Sequence, residues 1–194
     1  MSLIEPTDLT LEEAMHLTEL QNGIVHLGDE IGPFMARDLI RDIEYAIARR
    51  PEGEGITLFI NSPGGGITDA LAIYDFIVSI NPRNPIVGIV RGQASSAASM
   101  IVLQAVGRRV ATLQARLHLH EPSNWSFGPI EASRIRDDAA EITRLEHVVL
   151  SILSHRVKKS VEDLRLELGR RETWMSAEEA LEWGLIDEIG DGSA

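Results

Sequence analysis

The chain has 194 residues, 44% of them hydrophobic, and a formal net charge of −12 at pH 7, which is enough apolar material for one domain with an ordinary core. The negative charge argues against a nucleic-acid partner, and the lack of a signal-peptide pattern or of any run of about 18 apolar residues argues against a membrane partner. Cysteine is absent, which excludes disulfides and cysteine-based chemistry and favours a cytoplasmic location.

The first part of the chain is an acidic segment followed by a strand and a helix. Residues 1–22 are polar and acidic with one helical stretch, LEEAMHLTEL, which we expect to be mobile or to pack on a partner subunit. Residues 24–27 predict a first strand. Apolar side chains at helical spacing predict a helix over 34–49, and a basic turn followed by Pro51 ends it.

Two strand–turn–helix units come next, and each has a turn that contains glycine. The apolar run 56–60 leads into NSPGGG at 61–66 and a predicted helix over 68–80. The apolar run 85–90 leads into GQASS at 92–96 and a predicted helix over 97–106. Glycine in such turns permits positive φ angles and a close approach of the backbone to a ligand. We therefore expect one turn to supply an oxyanion site and the other a nucleophile.

The rest of the chain continues the alternation of strands and helices. Strands are predicted over 109–113 and 116–120. A long amphipathic helix over 133–156 and shorter helices over 160–169 and 176–183 follow. This alternation predicts an α/β fold with a largely parallel sheet. The apolar stripe of the long helix needs a cover, which predicts an oligomer.

A serine in the second turn is the candidate nucleophile. Ser96 lies where the strand gives way to a helix, and such a turn exposes the hydroxyl and directs the next N–H group at a developing oxyanion. Ser95 and Ser99 are alternative nucleophiles, since spacing alone does not separate the three serines. All three could instead be small residues that allow tight helix packing, because such residues are common in the turns of α/β folds.

His120 is the candidate general base, because the imidazole of histidine titrates near neutrality. His118 lies two residues earlier and projects from the same face of the predicted strand. An edge-strand histidine without a catalytic role is the alternative. A carboxylate normally orients such an imidazole, but the 30 acidic residues leave its identity open.

Two other kinds of chemistry are weaker candidates. Lys158 and Lys159 are the two lysines of the chain, and their place at the end of the long helix points to solvent, which argues against a serine–lysine dyad. The histidines do not occur at metal-ligand spacing and cysteine is absent, so we predict neither a metal nor another cofactor.

Four segments carry a resemblance to a known family. They read FINSPGGGITDALAIYD, GQASSAASM, LHLHEP and ETWMSAEEALEWGLIDEI, in that order. Together they resemble the motifs of the Clp protease proteolytic subunit (ClpP) family, within the ClpP/crotonase superfamily. The resemblance covers roughly residues 22–190 and rests on four motifs at near-family spacing, which is far more specific than any single motif.

The resemblance implies an architecture. The α/β fold would be a ClpP/crotonase-type spiral of ββα units with a protruding handle helix. Residues 1–22 would be an N-terminal acidic segment and residues 23–194 a ClpP-like peptidase domain, with the handle at about 122–156.

The resemblance also implies site residues. They are a nucleophile, a general base, an acid, two oxyanion-hole N–H groups and a substrate contact: Ser96, His120, Glu172, Gly65, Ala97 and Gly128. Glu172 stands where the family has aspartate, and its extra methylene shifts the carboxylate. Ala97 replaces a methionine of the family motif and Ser95 an alanine.

The function that the resemblance implies is that of a serine endopeptidase inside an oligomeric ring chamber. Its substrates would be peptides or unfolded proteins, its assembly a homo-oligomer of two stacked heptamers, and a Clp-type unfoldase ATPase a candidate partner. The N-terminal segment does not resemble the family's usual axial loop.

Two alternatives stay open at this point. A catalytically degenerate paralogue acting as a structural ring subunit is motivated by Glu172 and the altered residues around Ser96. A crotonase-type acyl-CoA enzyme is suggested by fold analogy alone. An active triad requires Ser96 Oγ within hydrogen-bond reach of His120, with Glu172 at the other ring nitrogen.

Overall fold

The computed structural model describes residues 9–123, 131–169 and 171–192. Its first elements are helix α1 (Leu11–Gln21), strand β1 (Ile24–Leu27) and helix α2 (Pro33–Ala48). Helix α1 begins at a capping box between Thr10 and Glu13. It packs on α2 and β1 through few buried side chains, of which Leu20 is one, so this stretch is docked on its own chain.

The two predicted strand–turn–helix units are both present. The first consists of strand β2 (Ile56–Ser62) and helix α3 (Ile67–Ile80). The second begins with strand β3 (Ile86–Ser95), which is longer than predicted. It continues through a π-helical turn (Ala98–Val102) into the short helix α4 (Leu103–Ala105). Single π-helical turns are rare and occur frequently at functional sites.

The remaining elements follow the prediction except near the end of the chain. They are β4 (Arg108–Thr112), β5 (Arg116–His120), α5 (Ala132–Val157), α6 (Val161–Leu168), β6 (Glu172–Met175), α7 (Ala177–Trp183) and β7 (Glu188–Gly190). The short strands β6 and β7 were not expected from the sequence. Their pairing with distant strands stabilises them, and that pairing leaves no local pattern in three or four residues.

The sheet is mostly parallel, which confirms the predicted α/β class. Its order is β1-β2-β3-β4-β7, and all four of these pairings are parallel. The apolar residues of these strands divide between two faces: Leu58 and Ile60 join the main core, and Phe59 and Ile89 join a smaller, separate cluster on the opposite face. The core between the sheet and helices α2 and α3 includes the fully buried side chains of Leu39, Ile43, Ile73 and Ile77.

Strand β3 forks at its carboxyl end, and the fork positions the site. Its first half pairs with β4, from Val87 opposite Arg108 to Val90 opposite Ala111. Its last residues pair instead with β5, and Ser95 lies opposite His118. Strand β5 pairs with β6 in an antiparallel ladder. The end of β3 is therefore joined to the histidine strand by backbone hydrogen bonds.

Helix α5 changes character along its length. Its first half is largely exposed, and the side chain of Ile135 is 54% exposed. Its second half is anchored in the core by Val149, Leu150, Leu153 and Val157. The handle, the spiral and the boundary at residue 22 stay predictions. Among the helices that the structure describes, none is long and apolar enough to cross a membrane.

Candidate active site

The backbone of Ser96 adopts an unusual conformation. Its φ angle is 53°, in the left-handed region, where a residue with a side chain is uncommon. Its N–H group donates to the carbonyl oxygen of His118 at 2.9 Å. The π-helical turn follows directly, and the N–H group of Met100 donates to Ser96 O at 2.8 Å. A residue held in such a conformation by its surroundings is a common feature of functional sites.

Ser96 and His120 form a hydrogen-bonded pair. Ser96 Oγ lies 2.7 Å from His120 Nε2. The other ring nitrogen, Nδ1, lies 2.7 Å from the carbonyl oxygen of Glu121. A carbonyl oxygen only accepts, so Nδ1 carries the proton and Nε2 is left to accept from the serine hydroxyl. This is the tautomer that a general base acting on serine requires.

The two alternative serines have other surroundings. Ser99 is fully buried, and its Oγ donates to the carbonyl oxygen of His118 at 2.6 Å. Ser95 is 5% exposed, and its Oγ lies 3.5 Å from Gln93 Oε1. The structure therefore brings Ser96, and neither of the other two serines, against His120.

The first glycine turn packs against the serine turn. A Cβ atom on Gly64, whose φ is 90°, would lie 2.4 Å from the carbonyl oxygen of Ser95. A Cβ atom on Gly65, whose φ is 145°, would lie 2.2 Å from the carbonyl oxygen of Ile31. Both contacts are impossible for a residue with a side chain. Ile31 also holds this turn by its N–H group, which donates to Gly64 O at 2.7 Å.

Two backbone N–H groups lie beside the serine without a visible role in the fold. In this part of the described chain, Gly64 donates to Ser62 Oγ and Gly66 donates to Ile31 O. The hydrogen bonds found around the two turns use neither the N–H group of Gly65 nor that of Ala97. Both residues line the same cavity as Ser96, so these N–H groups can serve an anionic ligand atom there.

The cavity beside Ser96 has a volume of about 820 Å³ and is large enough for several side chains of a peptide. Helix α5 forms its far wall with the apolar residues Ile142, Leu145 and Val149, together with Asp138 and Glu141. The wall is thus apolar with an acidic rim. Gly128, the predicted contact for the substrate backbone, lies outside the described residues.

Glu172 does not meet His120 in this structure. Its Oε2 atom lies 2.5 Å from Nε2 of His118, while Nδ1 of His120 is taken by the carbonyl of Glu121. The expected contact between Glu172 and His120 is therefore absent here. The physical reason is that the neighbouring histidine on the same face offers a second N–H donor, and the longer glutamate side chain can reach it.

His118 is the site residue to which sequence reasoning gave no role. Its ring stacks on Trp174 at 4.2 Å and on His120 at 5.2 Å between centroids. Burial lowers the pKa of His118 below its ordinary value, and the hydrogen bond that His118 donates to Glu172 opposes this shift. The signal in the sequence was the alternation of LHLH, which predicts that the two histidines share a face; the stacked rings confirm that they do.

Comparisons with known proteins agree in pointing to one family. The family model described as Clp protease matches residues 12–193. A relative from Frankia casuarinae, ATP-dependent Clp protease proteolytic subunit 2, is 35% identical over 88% of this chain and 76% of its own. A relative from Corynebacterium glutamicum, ATP-dependent Clp protease proteolytic subunit 1, is 31% identical over 98% of this chain and 90% of its own. The subunit 1 from Tropheryma whipplei is 35% identical over 97% of this chain and 90% of its own.

Proposed function

The chain belongs to the Clp protease family, and we propose that it is a serine endopeptidase in which Ser96 is the nucleophile and His120 the general base. The observation that carries this proposal is the 2.7 Å contact between Ser96 Oγ and His120 Nε2. The proton on Nδ1, held by the carbonyl of Glu121, supports it because Nε2 is then free to act as a base.

In the acylation step, Ser96 Oγ attacks the carbonyl carbon of the scissile peptide bond while Nε2 of His120 takes the hydroxyl proton. The negative charge that develops on the carbonyl oxygen is stabilised by the N–H groups of Gly65 and Ala97. The proton then passes from His120 to the nitrogen of the leaving amine, and the C–N bond breaks to give an acyl-enzyme.

In the deacylation step, His120 removes a proton from a water molecule that attacks the ester carbonyl of the acyl-enzyme. The same two N–H groups stabilise the second oxyanion, and the proton returns to Ser96 Oγ as the carboxylic acid product leaves. In our proposal, Glu172 is the carboxylate of the triad and stabilises the His120 imidazolium that forms in both steps.

The substrate is proposed to be a peptide or an unfolded protein chain. An open cavity with an apolar wall suits an extended chain whose side chains enter from one side. Gly128 is the proposed contact for the backbone of that chain.

The assembly is proposed to be a homo-oligomeric ring chamber of two stacked heptamers in the cytoplasm, working with a Clp-type unfoldase ATPase. The relatives are named proteolytic subunits of an ATP-dependent protease. The exposed first half of α5, which carries Ile135, is the proposed handle through which the rings stack.

The experiment that tests this function uses a fluorophosphonate probe and a short fluorogenic peptide on the purified full chain. We expect the probe to label the chain once, the peptide to be cleaved, and Ser96→Ala to abolish both. Ser95→Ala is the matched control, because its hydroxyl faces Gln93 and its loss leaves labelling intact. Labelling that persists in Ser96→Ala would contradict the assignment and move the nucleophile to Ser95 or Ser99.

A second candidate function is favoured by one observation. Glu172 bonds His118 and not His120, which is the arrangement expected of a structural ring subunit that has lost its activity. That function predicts an assembled ring in which neither the native chain nor any variant reacts with the probe. Peptide cleavage that depends on Ser96 would exclude it.

A further inference from the structure

The pairing of β5 with β6 places Glu172 near two histidines, His118 and His120. In the antiparallel register Glu172 lies directly opposite His120, and Trp174 lies directly opposite His118. Side chains directly opposite each other point to the same face with Cβ atoms about 5 Å apart, whereas diagonal neighbours are about 7–8 Å apart. The carboxylate nevertheless bonds the diagonal neighbour, at 2.5 Å from His118 Nε2. Its nearer partner by register is His120.

The choice of the diagonal neighbour has a visible cause. The His118 side chain is 11% exposed and its ring stacks on that of Trp174 and on that of His120, so its Nε2–H group points in a fixed direction. The pKa of His118, lowered by burial, keeps this ring neutral with one proton to donate. Nδ1 of His120 meanwhile has an acceptor in the carbonyl of Glu121. Both histidines thus have a hydrogen-bond acceptor. The Glu172 carboxylate, however, lies on His118 and not on His120, the proposed general base.

The acid has room to move. The Glu172 side chain is 70% exposed and lies on the short strand β6, so turning its carboxylate displaces no core side chain. A turn about its side-chain bonds is a change between staggered rotamers, which exposed residues make within nanoseconds.

We propose that His118 is a positioning residue that holds Glu172 away from His120. Full activity then requires the carboxylate to leave His118 and to accept the Nδ1 proton of His120 in place of the Glu121 carbonyl. This inference rests on the proposed function, because it assigns a second state to the same site. The tautomer of His120 is the same in both states, because the Glu121 carbonyl and the Glu172 carboxylate are both acceptors for the Nδ1 proton.

The two states differ in how well they stabilise the imidazolium of the transition state. A carboxylate beside Nδ1 opposes the positive charge directly, while a carbonyl oxygen offers only a dipole. Replacing the carboxylate of a catalytic triad costs about 10⁴-fold in rate, part of which is due to the wrong tautomer. Since the tautomer is already correct here, we expect release of Glu172 to raise kcat by about 10-fold to 100-fold.

The test is a double-mutant cycle between positions 118 and 172 on the full chain. His118→Phe keeps an aromatic ring beside Trp174 and His120 but removes the N–H donor. It should raise kcat and the rate of probe labelling by about 10-fold or more. Because His118 also lines the cavity, kcat and KM are measured separately, and the rise is expected in kcat. Glu172→Gln should then slow labelling at least about 10-fold more in the His118→Phe background than in the unaltered chain.

Two companion variants keep the result interpretable. His118→Gln retains an N–H donor without the ring, so its dependence on Glu172 should resemble that of the unaltered chain. His118→Met lacks a donor and fills an apolar gap flexibly, and it replaces His118→Phe if that variant fails to fold. An equal effect of Glu172→Gln in all backgrounds, or slower labelling in both donor-free variants, would overturn the proposal.

A crystal structure of the donor-free variant separates this proposal from the proposed function. We expect the Glu172 carboxylate within hydrogen-bond distance of His120 Nδ1 in His118→Phe. This readout does not depend on activity: a chain that the probe never labels would defeat the proposed function, while the position of Glu172 would still decide the inference. Glu172 turned to solvent in the variant would defeat the inference alone.

Discussion

The two sides of the site differ in how firmly they are held. On one side, Ser96 is fixed by buried neighbours: Ser99 is fully buried, and Gly64 packs where a Cβ atom would lie 2.4 Å from Ser95 O. On the other side, Glu172 and Trp174 belong to a four-residue strand; the Glu172 side chain is 70% exposed, and Trp174 as a whole residue is 48% exposed. The Ser96 turn is thus held in a single arrangement, whereas the Glu172 carboxylate can reach either His118 or His120.

This difference shows that the contacts around a side chain of the site determine how precisely it is positioned. The Ser96 turn combines backbone hydrogen bonds, close glycine contacts and a strained φ angle, which persists because the surrounding structure imposes it. The Glu172 carboxylate is held by one hydrogen bond to a side chain, so a change of one neighbour can redirect it. Substitutions on the two sides should therefore have effects of different kinds and sizes.

The largest effect is expected from Gly64→Ala, which attacks the firmly held side. Its Cβ atom would overlap Ser95 O and would lie 2.7 Å from the Cβ of Ser96, at a φ of 90°. We expect the free energy of unfolding to fall by about 2–4 kcal/mol and probe labelling to slow at least about 100-fold. Urea unfolding and the labelling rate measure the two effects.

Gly32→Ala is the matched control for that change. An added Cβ atom there meets nothing within 4 Å, and the φ angle of −137° is open to any residue. We expect labelling at the native rate. A Gly64→Ala chain that also labels at the native rate would show that the two turns are not tightly coupled.

A smaller effect is expected from Ser99→Ala, which removes one support of the same side. The hydroxyl donates to His118 O at 2.6 Å, and that carbonyl keeps a second donor in the N–H group of Ser96. The loss of one buried hydrogen bond should lower the free energy of unfolding by about 1 kcal/mol and slow labelling several-fold. Ser95→Ala, measured beside it by thermal unfolding, should change both quantities less. The reverse order would mean that Ser95 supports the turn.

The smallest effect concerns the acid side and the pH dependence of stability. Burial lowers the pKa of His118 below 6.5, so the unfolded chain takes up this proton at a higher pH than the folded chain does. Stability contributed at this position is therefore present above pH 6.5 and is lost as the pH falls from there toward the folded pKa. Urea unfolding at several pH values should show that His118→Phe weakens this acid-side loss. A variant that follows the native curve would indicate that His118 does not titrate differently on folding.

The sequence was sufficient for most of the fold because the long elements have strong local patterns. Strand 116–120 was predicted with its observed ends, and the long helix differs by one residue at each end. Strand β3 extends five residues past its apolar run, to Ser95, because β5 offers hydrogen-bond partners that no local pattern reveals. Strands β6 and β7 were missed for the same reason.

The site was predictable only as far as the backbone decides it. The contact between Ser96 and His120 follows from the fork of β3, and a Gly-containing turn with a histidine strand downstream was a usable signal. The partner of Glu172 could not be predicted, because two histidines share one face and side-chain reach decides between them. The role of the Glu121 carbonyl has no signature in the sequence, since every residue carries that group.

The fork of β3 has a consequence for the newly made chain. The serine turn needs the carbonyl of His118 for its own backbone, and it needs Ile31 to hold the facing turn. A nascent chain that ends before residue 118 thus carries Ser96 but neither its backbone partner nor its base. The segments around Ile31, Gly64, Ser96 and His118 must all be translated and docked before the Ser96 hydroxyl acquires its environment. The topology therefore delays assembly of the Ser96 surroundings until at least residue 120 has been made, and it denies them to chains that end before that residue.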